Sequence, residues 1–214
     1  TPKPSSAASD VYKRQVLDKK VAKQTVDFLT QINAIKLNTK NPFTWTSGIK
    51  SPIYCDNRLV LSYPEIREFI ANSMSQIIKK KYGNDISIVG VATGAIAIGI
   101  MIAERLNLPY AYVRPEPKGH GLKNQIEGKI NKNSNVLVIE DLISTGKSSL
   151  NAINALKSDD YNVVGMLSIF SYNFEFANKK FISEKITINS LADYNTLIEI
   201  IESKGDISDE EISS

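Results

Sequence analysis

The sequence predicts an α/β domain: a central, mostly parallel sheet flanked by helices, with a small mixed segment ahead of it. Three observations carry this reading. Short apolar runs recur at Ile86–Val91, Tyr110–Val113, Val136–Ile139 and Val163–Phe170. Residues at helical spacing fill most of the intervals between them. The runs are continuous rather than alternating, which is the pattern of strands covered on both faces.

Taken in order, residues 1–15 are rich in Ser, Ala, Pro and Lys and show no apolar period. They are expected to be a disordered or tag-like leader outside the fold. Val21, Phe28, Leu29, Ile32 and Ile35 recur at helical spacing and predict a helix over about residues 16–35. Residues 38–63 carry Asn-Pro, Ser-Gly and Ser-Pro steps and then Ile53-Tyr54-Cys55, the marks of turns and short strands. Pro64 suits a first helical turn, and Ile66, Phe69, Ile70, Met74, Ile77 and Ile78 form the stripe of the helix that follows. Helices are expected at Ala95–Leu106, from the end of the Val136 strand through Leu156, and at Tyr194–Ile201. A short strand is expected at Ile186–Ile188. A single domain is expected over residues 16–205, with a flexible acidic tail over 206–214. No internal repeat is visible.

The chain has 214 residues, 42% hydrophobic and 23% charged, the composition of a globular domain large enough to bury a core. Net charge is +3 and the basic residues are dispersed. The one dense run, Lys79-Lys80-Lys81, falls at a helix end, where cations suit the helix dipole. No aromatics interleave with a basic face, so nucleic acid is not an expected partner. Cys55 is the only cysteine, so no intrachain disulfide can form, which suits a reducing cytoplasm. It reads as a small buried hydrophobe. With one Cys and one His, a zinc site of Cys/His type is excluded. Val89–Ala103, the longest apolar run, is too short for a bilayer and is broken by Thr93 and glycines. No signal peptide is visible, and no membrane association is expected.

Two segments stand out chemically. Residues 114–130 form a long polar stretch containing Pro115, Pro117, Gly119, His120 and Gly121. A loop of that length inside a compact domain is usually functional, and flanking glycines give it the hinges of a lid. The second segment, Val136 to Ser149, places Glu140 and Asp141 directly after an apolar strand and then turns through Ser144-Thr145-Gly146 into a helix. In open α/β sheets ligands bind beyond the carboxyl ends of strands. Hydroxyls and free amides at a helix start favour an anion. Gly146-Lys147-Ser148 is not a Walker A loop, because Asp141 occupies the place of that motif's first glycine.

The Val136–Ser149 segment resembles the phosphoribosyl pyrophosphate (PRPP) motif of type I phosphoribosyltransferases. Asn41 to Arg58, reading NPFTWTSGIKSPIYCDNR, resembles the N-terminal hood of orotate phosphoribosyltransferases, and Arg114, Lys118 and His120 resemble their lid. The three matches stand in the family's order, from about Val16 to Ile201. The resemblance implies the type I phosphoribosyltransferase fold, with a hood at about 36–63 and a lid at 114–130. It implies transfer of phosphoribose from PRPP to orotate with Mg²⁺, in a homodimer whose lid is shared across subunits.

By the same resemblance Glu140 and Asp141 hold the ribose hydroxyls, with Asp141 counted among the catalytic residues beside Lys118 and His120. Leu142, Ile143, Ser144, Thr145, Gly146, Lys147 and Ser148 cradle the 5′-phosphate, and Ser144 also lies near orotate. Thr93-Gly94 take the place of the pyrophosphate loop, or form only a tight strand-to-helix turn. Arg114, Lys118 and His120 meet the pyrophosphate; Lys123 reads as a solvated lysine. Lys50, Tyr54 and Arg58 are candidate orotate contacts, or else surface charge and hood packing; Phe43 and Trp45 are expected to pack the hood. Mg²⁺ is held mainly by PRPP and water, with no dedicated protein ligand. Three positions depart from the family: Pro115 stands where many relatives carry lysine, Thr46 where some do, and Lys147 where the turn's second glycine is usual. A purine phosphoribosyltransferase would share the PRPP turn but not the hood and lid, and a regulatory PRPP sensor would not need Lys118 and His120.

Overall fold

The computed structural model describes residues 16–38, 40–45, 48–117 and 124–204. The leader and tail read from the sequence lie outside them. The first helix, α1, spans Lys19–Gln31 rather than 16–35. Asp18 sets its start by accepting from the amides of Lys20 and Val21 at 2.8 and 3.0 Å, an N-cap that satisfies otherwise orphaned donors. Asn33 then takes φ 55°, and the chain turns into β1 (Ile35–Leu37). Ile35 keeps its place in the core but from a strand.

Two small ribbons follow. β1 pairs antiparallel with β4 (Ile53–Cys55), and β2 (Phe43–Thr44) with β3 (Lys50–Ser51). A 3-10 helix over Asn57–Ser62 leads into α2 (Pro64–Tyr82), which starts at the proline as its spacing predicts.

The central sheet has six strands: β5 (Ser87–Val91), β6 (Tyr110–Val113), β7 (Ile126–Glu127), β8 (Asn135–Ile143), β9 (Asn162–Ser171) and β10 (Ile188–Asp193). Their order is β10-β9-β8-β5-β6-β7, and every pairing is parallel except β6 with β7. The mostly parallel sheet read from the sequence is therefore present. The antiparallel edge lies inside the stretch read as loop, so the lid candidate is the excursion of a hairpin with a paired base. β10 runs beyond the predicted Ile188, because Asn189, Ser190 and Asp193 are buried polar residues that hide the strand from an apolar count.

The remaining helices are α3 (Ile96–Leu106), α4 (Lys147–Ser158), α5 (Glu175–Ser183) and α6 (Tyr194–Lys204). α5 has no counterpart in the sequence reading. It is short and buries only Ala177, Asn178 and Phe181.

The strands alternate between two cores. Ile88, Leu137, Ile139, Leu167 and Ile169 face one core with α1, α2, α3 and α6. Ile53 and Cys55 join it from the N-terminal ribbons, and Val60 from the 3-10 helix. Val89, Val91, Val136, Val138 and Met166 face the other, under α4 and α5. No helix among the described residues is long and apolar enough to cross a membrane.

Candidate active site at the sheet switch point

From β5 the chain crosses to β6 on one side, and β8 returns on the other. Connections diverge there and leave a crevice beyond the strand ends. The loop after β5 and the turn after β8 meet at this crevice. β8 continues past the predicted Ile139 through Ile143, so the two acids belong to the strand itself. Strand alternation then turns the two side chains toward different neighbours, Ser149 and Gly94, with the two carboxyls still interacting.

Glu140 turns to the α4 side and is 3% exposed. Its Oε2 accepts from the fully buried Ser149 Oγ at 2.9 Å, and its Oε1 from the amide of Asp141 at 3.1 Å. Burial first, and the neighbouring Asp141 charge second, push this carboxyl well above the ordinary carboxylate range. Asp141 is partly exposed and stands against Gly94. A β-carbon at Gly94 would overlap the Asp141 carboxylate, so a glycine lets that carboxylate lie directly against the loop after β5. The Ala92–Thr93 peptide in the same loop is cis.

The cleft between these loops and the ribbons has a volume of about 840 Å³. Of the residues singled out from sequence, Tyr54, Arg114, Leu142, Ser144, Thr145, Lys147 and Ser148 line it. The turn itself is held by Gly146 at φ 74°, where an added β-carbon would come within 2.8 Å of the Phe181 ring. Gly146 caps α4 with no side-chain partner, leaving the amides of the first helical turn beside the Ser144, Thr145 and Ser148 side chains. Lys147 is the first residue of α4, and the left-handed conformation falls on Gly146, so a side chain at 147 costs no strain.

Other sequence candidates sit differently. Ile143 is 1% exposed and gives its side chain to the core. Arg58 closes its guanidinium on Asp56 with contacts of 2.7 and 2.8 Å, and Lys50 is exposed on β3; neither lines the cleft. Arg114 reaches the cleft from the end of β6. Its amide donates to the Gln125 carbonyl at 2.9 Å, closing the base of the lid hairpin, and its guanidinium lies 3.6 Å from Glu127. Lys118, His120, Thr46 and Lys123 lie outside the described residues.

The ribbons form one wall. Trp45 Nε1 donates to the Ile53 carbonyl at 3.1 Å, and its ring centroid lies 4.4 Å from that of Tyr172 at the end of β9. Phe43 packs on Tyr54 at 5.7 Å, so both aromatics pack the ribbons as expected. Cys55 is buried, as expected of a small hydrophobe, and burial pushes its thiol pKa up. Asn57 is 2% exposed and donates from Nδ2 to the Asp141 carbonyl at 2.7 Å. Asn57, Ser149 and Tyr172 are absent from the sequence candidates; a polar residue with a partner far along the chain leaves no periodic trace. A cleft of about 910 Å³ elsewhere, among α1, α5 and α6, is lined by mixed-sign chains such as Lys19, Lys23 and Glu199 and by none of the turn residues.

Residues 60–183 match the family model of the phosphoribosyl transferase domain. Over 194 residues the chain is 46% identical to the orotate phosphoribosyltransferase of Phocaeicola vulgatus, covering 91% of this chain and 92% of that protein. The chain belongs to the orotate phosphoribosyltransferase family. The orotate phosphoribosyltransferase of Bacillus cytotoxicus is 45% identical over 190 residues, with 89% of this chain and 90% of that one covered. Among solved structures, the orotate phosphoribosyltransferase of Aeropyrum pernix superposes with a TM-score of 0.72 at 28% identity, covering 86% of this chain and 99% of that chain. UMP synthase of Leishmania donovani gives a TM-score of 0.73 at 25% identity, covering 90% of this chain and 41% of that chain. The family model starts after the ribbons, so it speaks for the phosphoribosyltransferase sheet and turn. Alignments over about nine-tenths of the chain carry the narrower family, because they take in most of the hood as well.

Proposed function

We propose that the chain transfers the 5-phosphoribosyl group of PRPP to N1 of orotate, giving orotidine 5′-monophosphate and pyrophosphate in pyrimidine biosynthesis in the cytoplasm. One observation carries the reading. The acid–acid–turn segment ends at the sheet's switch point, under a wall of hood aromatics, beside the only cleft lined by the turn among those described.

The chemistry asks little of covalent catalysis. As C1 of the ribose loses pyrophosphate and gains the orotate nitrogen, positive charge develops on the sugar and negative charge on the leaving group. Positioning and electrostatic stabilisation supply the rate. The open amides of the α4 start, with Ser144, Thr145 and Ser148, hold the 5′-phosphate. Asp141, on the hood side of β8, faces the ribose, while Glu140 supports the strand end from within. Arg114 offers a guanidinium fork to pyrophosphate. Lys118 and His120 extend that positive set from the lid, residues 114–130, and the hood over about 36–63 covers the base. Tyr54 and Ser144 are the orotate-facing candidates. The subunits pair, and each lid serves the neighbouring cleft.

Mg²⁺ fits this donor set as a companion of the substrate. The cleft presents the Ser144, Thr145 and Ser148 hydroxyls, neutral oxygens suited to a hydrated, phosphate-bound ion. When bound, the ion neutralises charge on the leaving pyrophosphate.

The test is a spectrophotometric assay of orotate consumption with PRPP and Mg²⁺, run beside hypoxanthine and adenine. Turnover of orotate alone is expected. Turnover of a purine base without orotate would refute the assignment.

A further inference from the structure

Resting on the ribose-facing role of Asp141, we infer that Cys55 and Asn57 form a two-bond relay that fixes the hood to Asp141 and so positions that residue for the transfer step. Asn57 is 2% exposed, at the start of the 3-10 helix that leaves the hood. Its Nδ2 lies 2.7 Å from the Asp141 carbonyl, and its Oδ1 lies 3.1 Å from Cys55 Sγ.

The orientation of this amide follows from chemistry. A backbone carbonyl can only accept, so the NH₂ end must face Asp141. The carbonyl end then faces sulfur, and sulfur must be the donor. A thiol can donate and a thiolate cannot. Burial, reinforced by the Asp141 and Asp56 charges, keeps Cys55 protonated through neutral pH. The Asp141 carbonyl therefore sets which way the Asn57 amide points, and the Cys55 thiol holds it there by donating to Oδ1. The thiol is buried and is not a nucleophile. The hood also carries Tyr54 on the cleft wall, three residues before Asn57, so one relay joins the base-facing wall to the sugar-facing strand.

Both are positioning residues, and their role separates from simple packing. Replacing Cys55 by Ala keeps the site apolar but removes the donor. Replacing it by Ser restores a donor while burying a more polar group, which costs stability. A packing role therefore ranks Cys55→Ala at or above Cys55→Ser in both melting temperature and activity. The relay reverses the order for activity: kcat/KM for PRPP falls about tenfold in Asn57→Ala and several-fold in Cys55→Ala, and returns toward wild type in Cys55→Ser. The double variant Cys55→Ala/Asn57→Ala should be no worse than Asn57→Ala alone, because the thiol acts only through the amide.

The experiment is steady-state kinetics of these four variants and wild type with orotate, PRPP and Mg²⁺, with thermal melts on the same samples. A serine variant less active than the alanine variant, or additive losses in the double variant, would overturn the relay. Wild type without orotate turnover would instead overturn the functional reading on which it rests.

Discussion

Glu140→Gln should raise the melting temperature at pH 8 and leave it nearly unchanged near pH 4.5. The carboxyl is 3% exposed and accepts hydrogen bonds from Ser149 Oγ and the Asp141 amide. Two such bonds offset part of the several kcal/mol that burying a carboxylate costs. A residual of about 2 kcal/mol is a reasonable scale. The sign follows from linkage. The folded-state pKa is raised above the ordinary 4.5, so the stability contributed by the protonated acid is fully present below that value. It is lost as pH rises through the folded pKa, and above it the wild type carries the cost of a buried charge. Glutamine carries no such charge. Its carbonyl can still accept from the Asp141 amide, and its NH₂ can donate to Ser149, whose hydroxyl rotates to accept. For a chain of this size about 2 kcal/mol corresponds to ~4–8 °C. Differential scanning calorimetry of both proteins from pH 4.5 to 8.5 reads the effect. A difference independent of pH, or a less stable glutamine variant at pH 8, would refute the account of Glu140 as a strained buried acid.

Four further outcomes follow from the site. Gly94→Ala forces the Asp141 carboxylate out of its place against the loop after β5, so kcat/KM for PRPP should fall about 100-fold while the circular dichroism spectrum is kept; wild-type kinetics would remove Gly94 from the site. Arg114→Ala should raise KM for PRPP about tenfold or more, yet change stability by less than about 1 kcal/mol, because its 3.6 Å pair with Glu127 is half-exposed. An unchanged KM in titrations with PRPP would place this arginine outside the pyrophosphate site. Lys147→Ala should raise KM for PRPP roughly three- to tenfold at low ionic strength, with the difference shrinking at high salt, and a salt-independent effect would count against a phosphate contact. Lys118→Ala should lower the single-turnover rate about 100-fold or more, with a much smaller change in PRPP affinity, and an unchanged rate would show that this lysine does not meet the leaving group.

What can be read in the sequence is local. Val136 to Ser149 is legible because one strand, two acids and a turn are contiguous, and each has its own physical signature. The limits of that segment are less so. The apolar run stops at Ile139, but β8 continues to Ile143, since Ser149 allows an acid to be buried in a strand. β10 and α5 escape for related reasons: Asn189, Ser190 and Asn178 are polar residues that tertiary partners and packing carry into the interior. Asn57 escapes because its partner lies 84 positions away. Lys50 and Arg58 show another limit: their charge suits orotate, but the sequence does not show that Arg58 pairs with Asp56 or that neither residue is part of the cleft lining.

The separation of Glu140 from Asp141 is the clearest case of structure dividing what sequence presents as a pair. Adjacent positions on a strand cannot share a face. If β8 ended at Ile139, both acids would be loop residues, and either could turn to the ribose. Because β8 runs on, Glu140 is buried toward α4 on Ser149 and Asp141 stands beside Gly94, with the two carboxyls still close enough to interact. The buried one favours its neutral form, which lowers repulsion on its neighbour. A motif of two acids thus presents one carboxyl beside Gly94, with the second buried on Ser149 and favouring its neutral form.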